Sequence, residues 1–216
     1  MKNTFGQNVT ITLFGESHGA AVGAVLDGIA AGLPADETFI AQRLTLRRPQ
    51  LASDTARKEK DDFRILSGVK DGFTTGAPLT VIVPNEDIRS GDYEQIRNLP
   101  RPSHADYAAR IKYGGYEDYR GGGHFSGRVT AALVAAGAIL LQALENKGVI
   151  IGSHILSCGN VSDERYSLDP TSEIKNTKGK PFPVLNDNKQ EEMLAEIAAA
   201  AKNNDSIGGT VETAIC

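Results

Sequence analysis

The chain has 216 residues, 40% hydrophobic and 23% charged, which suits one domain with a substantial core and excludes wholesale disorder. A formal net charge of −4 argues against nucleic acid as the main partner. No apolar secretory core follows Met1, the Val129 to Leu144 run is too short to cross a bilayer comfortably, and Cys158 and Cys216 suggest neither a disulfide framework nor a metal site, so the expected location is the cytoplasm.

In chain order, Val9 to Leu13 alternates apolar residues with Thr10 and Thr12 and predicts a strand. Gly15 to Gly19 is the turn after it, and Gly23 to Leu26 is the return strand, closed by Asp27-Gly28. Asp36 is a good N-cap for a helix running to about Arg47. Ser53 to Asp62 is polar and lysine-rich, hence a mobile, solvated loop. Phe63 to Val69 and Leu79 to Val83 are short strands separated by Asp71-Gly72 and Thr75-Gly76 turn signals. Ser103 is a candidate cap for a helix from His104 to about Tyr113, and glycine runs at 114–115 and 121–123 flank a tyrosine-rich loop.

From Val129 to Leu144 nearly every residue is apolar, so the predicted helix over Ser126 to Glu145 has no face for water and should be buried on two opposite sides. Val149 to Leu156 predicts a strand, Ser162 to Asn188 a polar surface loop, Gln190 to Lys202 a helix and Ile207 to Ile215 a last strand. No internal repeat or clean domain boundary is visible, which gives a single domain over 1–216. The last strand reaches Cys216 with no turn or polar tail, so the chain reads as the amino-terminal part of something longer.

Four motifs carry chemistry. Gly15-x-Ser17-x-Gly19 matches the nucleophile elbow of serine hydrolases, but an elbow leads into a helix and this one leads into a predicted strand. Gly121-Gly122-Gly123 before Ser126, flanked by Arg120 and Arg128, would set unpaired backbone N–H groups at a helix start toward an anion. His104 near a helix N-terminus would be kept near neutrality and able to exchange protons. Arg47 and Arg48 close a helix, where the dipole favours them. Singly, each has a plain structural explanation at least as good.

Their order and spacing resemble the chorismate synthase family. The resemblance runs through Phe5-Gly6-Gln7, Gly15 to Gly19, Val25-Leu26-Asp27-Gly28, Leu46-Arg47-Arg48-Pro49, Ile65-Leu66-Ser67-Gly68-Val69 and Thr74-Thr75-Gly76. It continues through Arg101-Pro102-Ser103-His104-Ala105-Asp106, Asp118-Tyr119-Arg120-Gly121-Gly122-Gly123 and Asp205-Ser206-Ile207-Gly208-Gly209. The departures are Ala30 for a usual proline, His124, Phe125 and Gly127 where arginine, serine and alanine are frequent, and Ser53 where an arginine is expected, with Arg57 nearest. A carboxy-terminal Arg-x-Asp-Pro-type segment, which supplies much of the family's flavin site, is not in this sequence.

What the resemblance implies is an α+β fold, a β-α-β sandwich with long helices buried between antiparallel sheets. It implies a lyase that removes phosphate from 5-enolpyruvylshikimate 3-phosphate by 1,4-elimination to give chorismate. Reduced FMN is required, with NADPH a possible reductant source, in a homotetramer without metal. By the same resemblance His18 looks like the acid for the leaving phosphate and His104 the histidine that protonates reduced flavin. Ser17, Arg47, Arg48 and Arg128 would surround the substrate, and His124, Phe125 and Ser126 would contact the flavin. The competing reading is a non-catalytic anion-binding module that keeps the glycine turns.

Overall fold

The computed structural model describes residues 2–51, 59–86, 93, 97–102 and 104–216. They form two compact units, one of 1–48 with 57–143 and one of 49–56 with 144–216.

The first unit is built on an antiparallel sheet. Its strands are β1 (Thr4–Gly6), β2 (Thr10–Gly15), β3 (Ala21–Asp27), β4 (Arg64–Ser67) and β7 (Leu79–Pro84), in the order β1-β2-β3-β7-β4. A hairpin of β5 (Val69–Lys70) and β6 (Phe73–Thr74) lies outside that order. The single strand predicted over Phe63 to Val69 is broken at Gly68, whose φ is +82° and where a Cβ would lie 2.4 Å from Leu79 Cα. Val22, Ala24 and Leu26 of β3 pair in register with Val83, Val81 and Leu79 of β7, and all six side chains are buried on one face. On the other face Gly23 stands opposite Phe14 of β2, whose ring occupies the space a Cβ would need.

Helix α1 (Glu37–Arg47) starts where the sequence predicts, because Asp36 accepts hydrogen bonds from the backbone N–H groups of Thr38 (2.8 Å) and Phe39 (3.4 Å). Such a cap is worth about 1 kcal/mol. The helix buries Ile40 and Leu44 in the same core as the sheet. Helix α2 (Asp106–Tyr113) starts two residues later than predicted, without a side-chain cap, and Ser103 lies outside the described residues.

Helix α3 (Thr130–Glu145) follows a 3-10 turn over Gly127–Val129 that Ser126 caps by accepting from the Arg128 N–H. Ala131, Ala132, Ala135, Ala136, Ala138 and Ile139 pack into the sheet core. The burial expected on two opposite faces is partial: Val134 and Leu140 also pack against the core, Gly137 and Leu141 are half-buried, and Leu133 is 38% exposed. By length and composition Gly127–Glu145 could cross a membrane, with a mean hydropathy of 1.6, yet its alanine face is core packing.

The second unit holds β8 (Ile151–Cys158), β9 (Val161–Ser162), α4 (Thr171–Thr177), α5 (Asp187–Lys202) and β10 (Gly209–Ile215). Its sheet is antiparallel in the order β10-β8-β9. The surface loop predicted over Ser162 to Asn188 instead contains α4 and buries Ile174, Phe182 and Val184. Ile174 packs where Gly152 of β8 has no side chain, a contact any Cβ there would block.

Candidate active site

The predicted site residues lie in the first unit, and most gather at one end of its sheet, where β2 stops at Gly15, β3 starts at Ala21 and β7 stops at Pro84. Asn85, the residue after β7, ties that end together. Its Nδ2 donates to the carbonyls of Glu16 (2.9 Å) and Gly19 (2.8 Å), and its N–H donates to Ala20 O (3.1 Å). The 15–19 turn is thereby held rigidly.

Ser17 is fully buried. Its hydroxyl donates to the carbonyls of Arg120 and Gly121, both at 3.2 Å, and its Oγ lies 3.0 Å from His18 Nδ1. With its one proton committed to carbonyls, Ser17 must accept from Nδ1–H of His18. That places the His18 proton on Nδ1 and assigns Nε2 as the nitrogen for proton exchange. A buried serine that spends its proton on backbone, with a strand after it, is not a nucleophile elbow.

Gly121, Gly122 and Gly123 all have positive φ, at 58°, 88° and 54°. They precede Ser126, which caps the 3-10 turn leading into α3. Their role is close approach: a Cβ on Gly121 would lie 2.2 Å from His18 Cε1, and one on Gly122 would lie 2.6 Å from His104 Cε1. Two histidines 86 positions apart in sequence thus pack on adjacent residues of one turn. Tyr93 stands between their surroundings, its ring 5.1 Å from His18 and 5.6 Å from the Arg101 guanidinium.

His104 precedes α2, so its setting comes from side chains rather than from the helix end. Nδ1 lies 2.6 Å from Asp106 Oδ1, and Arg101 donates to both Asp106 oxygens through Nε (2.8 Å) and Nη2 (2.9 Å). The side-chain bond from Arg101 holds the Asp106 carboxyl well below the usual carboxylate range against the opposing effect of burial. Asp106 therefore stays anionic and fixes the histidine's ring. A parallel pair lies across the turn. Burial raises Asp118, but Arg120 donates to it through Nε and Nη2 at 2.8 Å, and the net direction is downward.

His124 Nδ1 donates to Gly15 O at 2.9 Å, which ties the flavin-contacting segment predicted by resemblance to the 15–19 turn. His124 and Phe125 line a cavity of about 260 Å³ together with Phe14, Tyr113, Tyr116 and Glu16. Ser126 is used as a cap.

The arginines divide. Arg47 is 25% exposed, whereas Arg128 is 2% exposed and packed among carboxylates. Arg128 Nη2 lies 2.5 Å from Glu59 Oε2, Nη1 pairs with Asp61 Oδ1, and Nε donates to Asn85 Oδ1 at 2.9 Å. Arg48 closes α1 and has a buried Nε without a hydrogen-bond partner among the described residues. The solvated loop read over Ser53 to Asp62 is corrected at Asp61, which is 1% exposed; residues 52–58 lie outside the described residues. Glu59, Asp61, Asn85, Tyr93 and Arg101 are site neighbours that the sequence alone did not single out. Only Arg101 carried a signal, since it opens the His104 motif. Among the described residues no group of three or more His, Cys, Asp or Glu could hold a metal ion.

Comparison with known proteins converges on one family. A family model described as chorismate synthase matches residues 9–216. The chain belongs to the chorismate synthase family. Chorismate synthases of Korarchaeum cryptofilum and Ignicoccus hospitalis are 45% and 46% identical over 209 and 213 residues. Those matches take in 96% and 97% of this chain but 57% and 54% of the relatives. A crystal structure of a chorismate synthase superposes with a TM-score of 0.72 at 30% identity, over 96% of this chain and 57% of that one. The chain thus spans little more than half the length of these chorismate synthases, and its α+β fold is theirs.

Proposed function

We propose that this chain carries the proton-transfer side of a chorismate synthase site, in which 5-enolpyruvylshikimate 3-phosphate loses phosphate by 1,4-elimination to give chorismate. The observation that carries the reading is the packing of His18 and His104 on adjacent glycines of one turn. His18, with its proton on Nδ1 toward Ser17, receives a proton at Nε2 and delivers it to the departing phosphate. His104, held by Asp106 and 32% exposed, protonates the reduced cofactor. Arg47 and Arg48 at the end of α1 meet the anionic groups of the substrate, with Ser17 and Arg128 behind them.

The residues present fit the ring of FMN. Phe14, Tyr113, Tyr116 and Phe125 line one cavity together with His124, and aromatic side chains at such a cavity suit a planar ring. Glu16, Glu117 and Asp118 line that cavity too and would repel a phosphate, so the cofactor's tail is assigned to no residue here. When bound, reduced flavin would supply an electron transiently to the substrate and take back an electron and the hydrogen lost with the phosphate, leaving no net redox change. NADPH as reductant source, a homotetramer and a cytoplasmic location belong to the same proposal.

The test is chorismate formation with reduced FMN supplied, combined with calorimetric titration of the substrate. His18→Ala and His104→Ala should each lower turnover by about 10²- to 10⁴-fold with little change in substrate affinity. Near-normal turnover in both variants overturns the assignment. Substrate binding without turnover in the unmodified protein would place it with the non-catalytic anion-binding modules.

A further inference from the structure

Arg128 and Arg47 share one carboxylate. Asp61 Oδ1 pairs with Arg128 Nη1, and Asp61 Oδ2 accepts from Arg47 Nη1 at 3.0 Å. The aspartate is 1% exposed and holds a φ of +53°, a left-handed conformation that Asp tolerates better than most non-glycine residues.

The two guanidinium groups differ in what they can still do. Arg128 has all three nitrogens engaged: Nε with Asn85, Nη1 with Asp61, and Nη2 with Pro84 O at 2.9 Å and Glu59 at 2.5 Å. At 2% exposed it offers nothing to a solvent-borne anion. Arg47 donates through Nε to Thr130 Oγ1 (3.3 Å), through Nη2 to Gly127 O (3.1 Å) and through Nη1 to Asp61. Those bonds use one N–H on each nitrogen, and a guanidinium has five. Among the described residues, two N–H groups of a 25% exposed Arg47 therefore remain, one on each terminal nitrogen. One N–H on each terminal nitrogen can form the fork that suits a carboxylate or phosphate.

We propose that Asp61 is a positioning residue: Arg128 clamps it from inside, and it in turn presents the fork of Arg47 to an anionic group of the substrate. The inference rests on the proposed substrate reading, because it needs Arg47 to meet that anion. Within the cluster the cations Arg47 and Arg128 are balanced by Glu59 and Asp61, so excess local charge is not what it offers an anion. Orientation is.

Charge and orientation make opposite forecasts for Asp61→Asn. Removing a negative charge beside an anion site should tighten anion binding if charge alone mattered. Losing the clamp on Arg47 should weaken it. The exposed neighbour Asp62 is the charge control, since Asp62→Asn makes the same charge change without touching this network.

The experiment titrates 5-enolpyruvylshikimate 3-phosphate into the protein by calorimetry, which reports affinity and binding stoichiometry separately. The expected result is an affinity at least about tenfold weaker in Asp61→Asn with unchanged stoichiometry, and an unchanged or tighter affinity in Asp62→Asn. A purely structural role for Asp61 would lower the stoichiometry and leave the affinity of the folded fraction alone, and that outcome overturns the proposal. So does affinity in Asp61→Asn equal to or tighter than the parent's. Should Asp61→Asn fail to fold, Arg47→Lys is decisive. It keeps the charge but loses the fork, and binding like the parent's would overturn the proposal, whereas a loss of about tenfold supports it. Arg47→Ala separates the two layers, for undiminished binding there removes the substrate reading of Arg47 itself.

Discussion

At the scale of single residues, the site is a set of ion pairs that each hold something else in place. Asp106 illustrates the pattern, with three bonds from Arg101 and a contact to His104. Its carboxyl is depressed in the folded protein relative to an ordinary value of 3.8. The sign of the linkage follows: an Asp depressed on folding stabilises the protein above its unfolded value and loses that contribution as pH falls through the folded one. Asp106→Asn should therefore lower the melting temperature at neutral pH, and the gap from the parent should close as pH falls from about 5 toward 2. Thermal unfolding across that range checks this. A gap that stays constant would mean the carboxylate's charge contributes nothing to stability.

At the scale of elements, α3 shows how one apolar stretch can serve two very different surroundings. Its alanines lie flat against the sheet, where added volume has nowhere to go. Ala135→Leu should cost about 1–3 kcal/mol by overpacking. Leu133 on the opposite side has room, and Leu133→Lys should change stability by no more than about 0.5 kcal/mol. Denaturant unfolding of the two variants compares them directly, and an equal or larger loss in Leu133→Lys would show that this side is covered in solution. Legibility at this scale tracked local chemistry. The capped start of α1 was readable because Asp36 acts on residues two and three positions ahead. Helix α4 was not, because its seven residues hold one apolar side chain, Ile174, and its partner Gly152 lies more than twenty positions away.

For the molecule as a whole, an overall charge of −4 opposes any anion approaching from a distance, so attraction must come from the arginines at close range. Substrate affinity should then fall as salt rises from about 0.1 M to 1 M, where the screening length shrinks from about 10 Å to 3 Å. Titration at several salt concentrations measures this. Affinity rising with salt would mean that repulsion by the net charge outweighs the local arginines. The packing of Leu51 among side chains a hundred or more positions later was not legible, because no local composition shift marks it.

The order of motifs in the sequence was by itself enough for the resemblance that implied the family, the α+β class and the residues worth testing, while caps, glycine turns and apolar runs set local conformations that need no distant partner. Which of those residues work together was decided only by tertiary structure. Gly121 and Gly122 read as a helix entrance until the fold set His18 and His104 against them. Asp61 sits in a lysine-rich stretch that any local reading sends to solvent, and it is buried because Arg128, 67 positions on, needs a carboxylate in the interior. A buried ion pair is a relation between distant residues, and neither partner alone carries a signal of it.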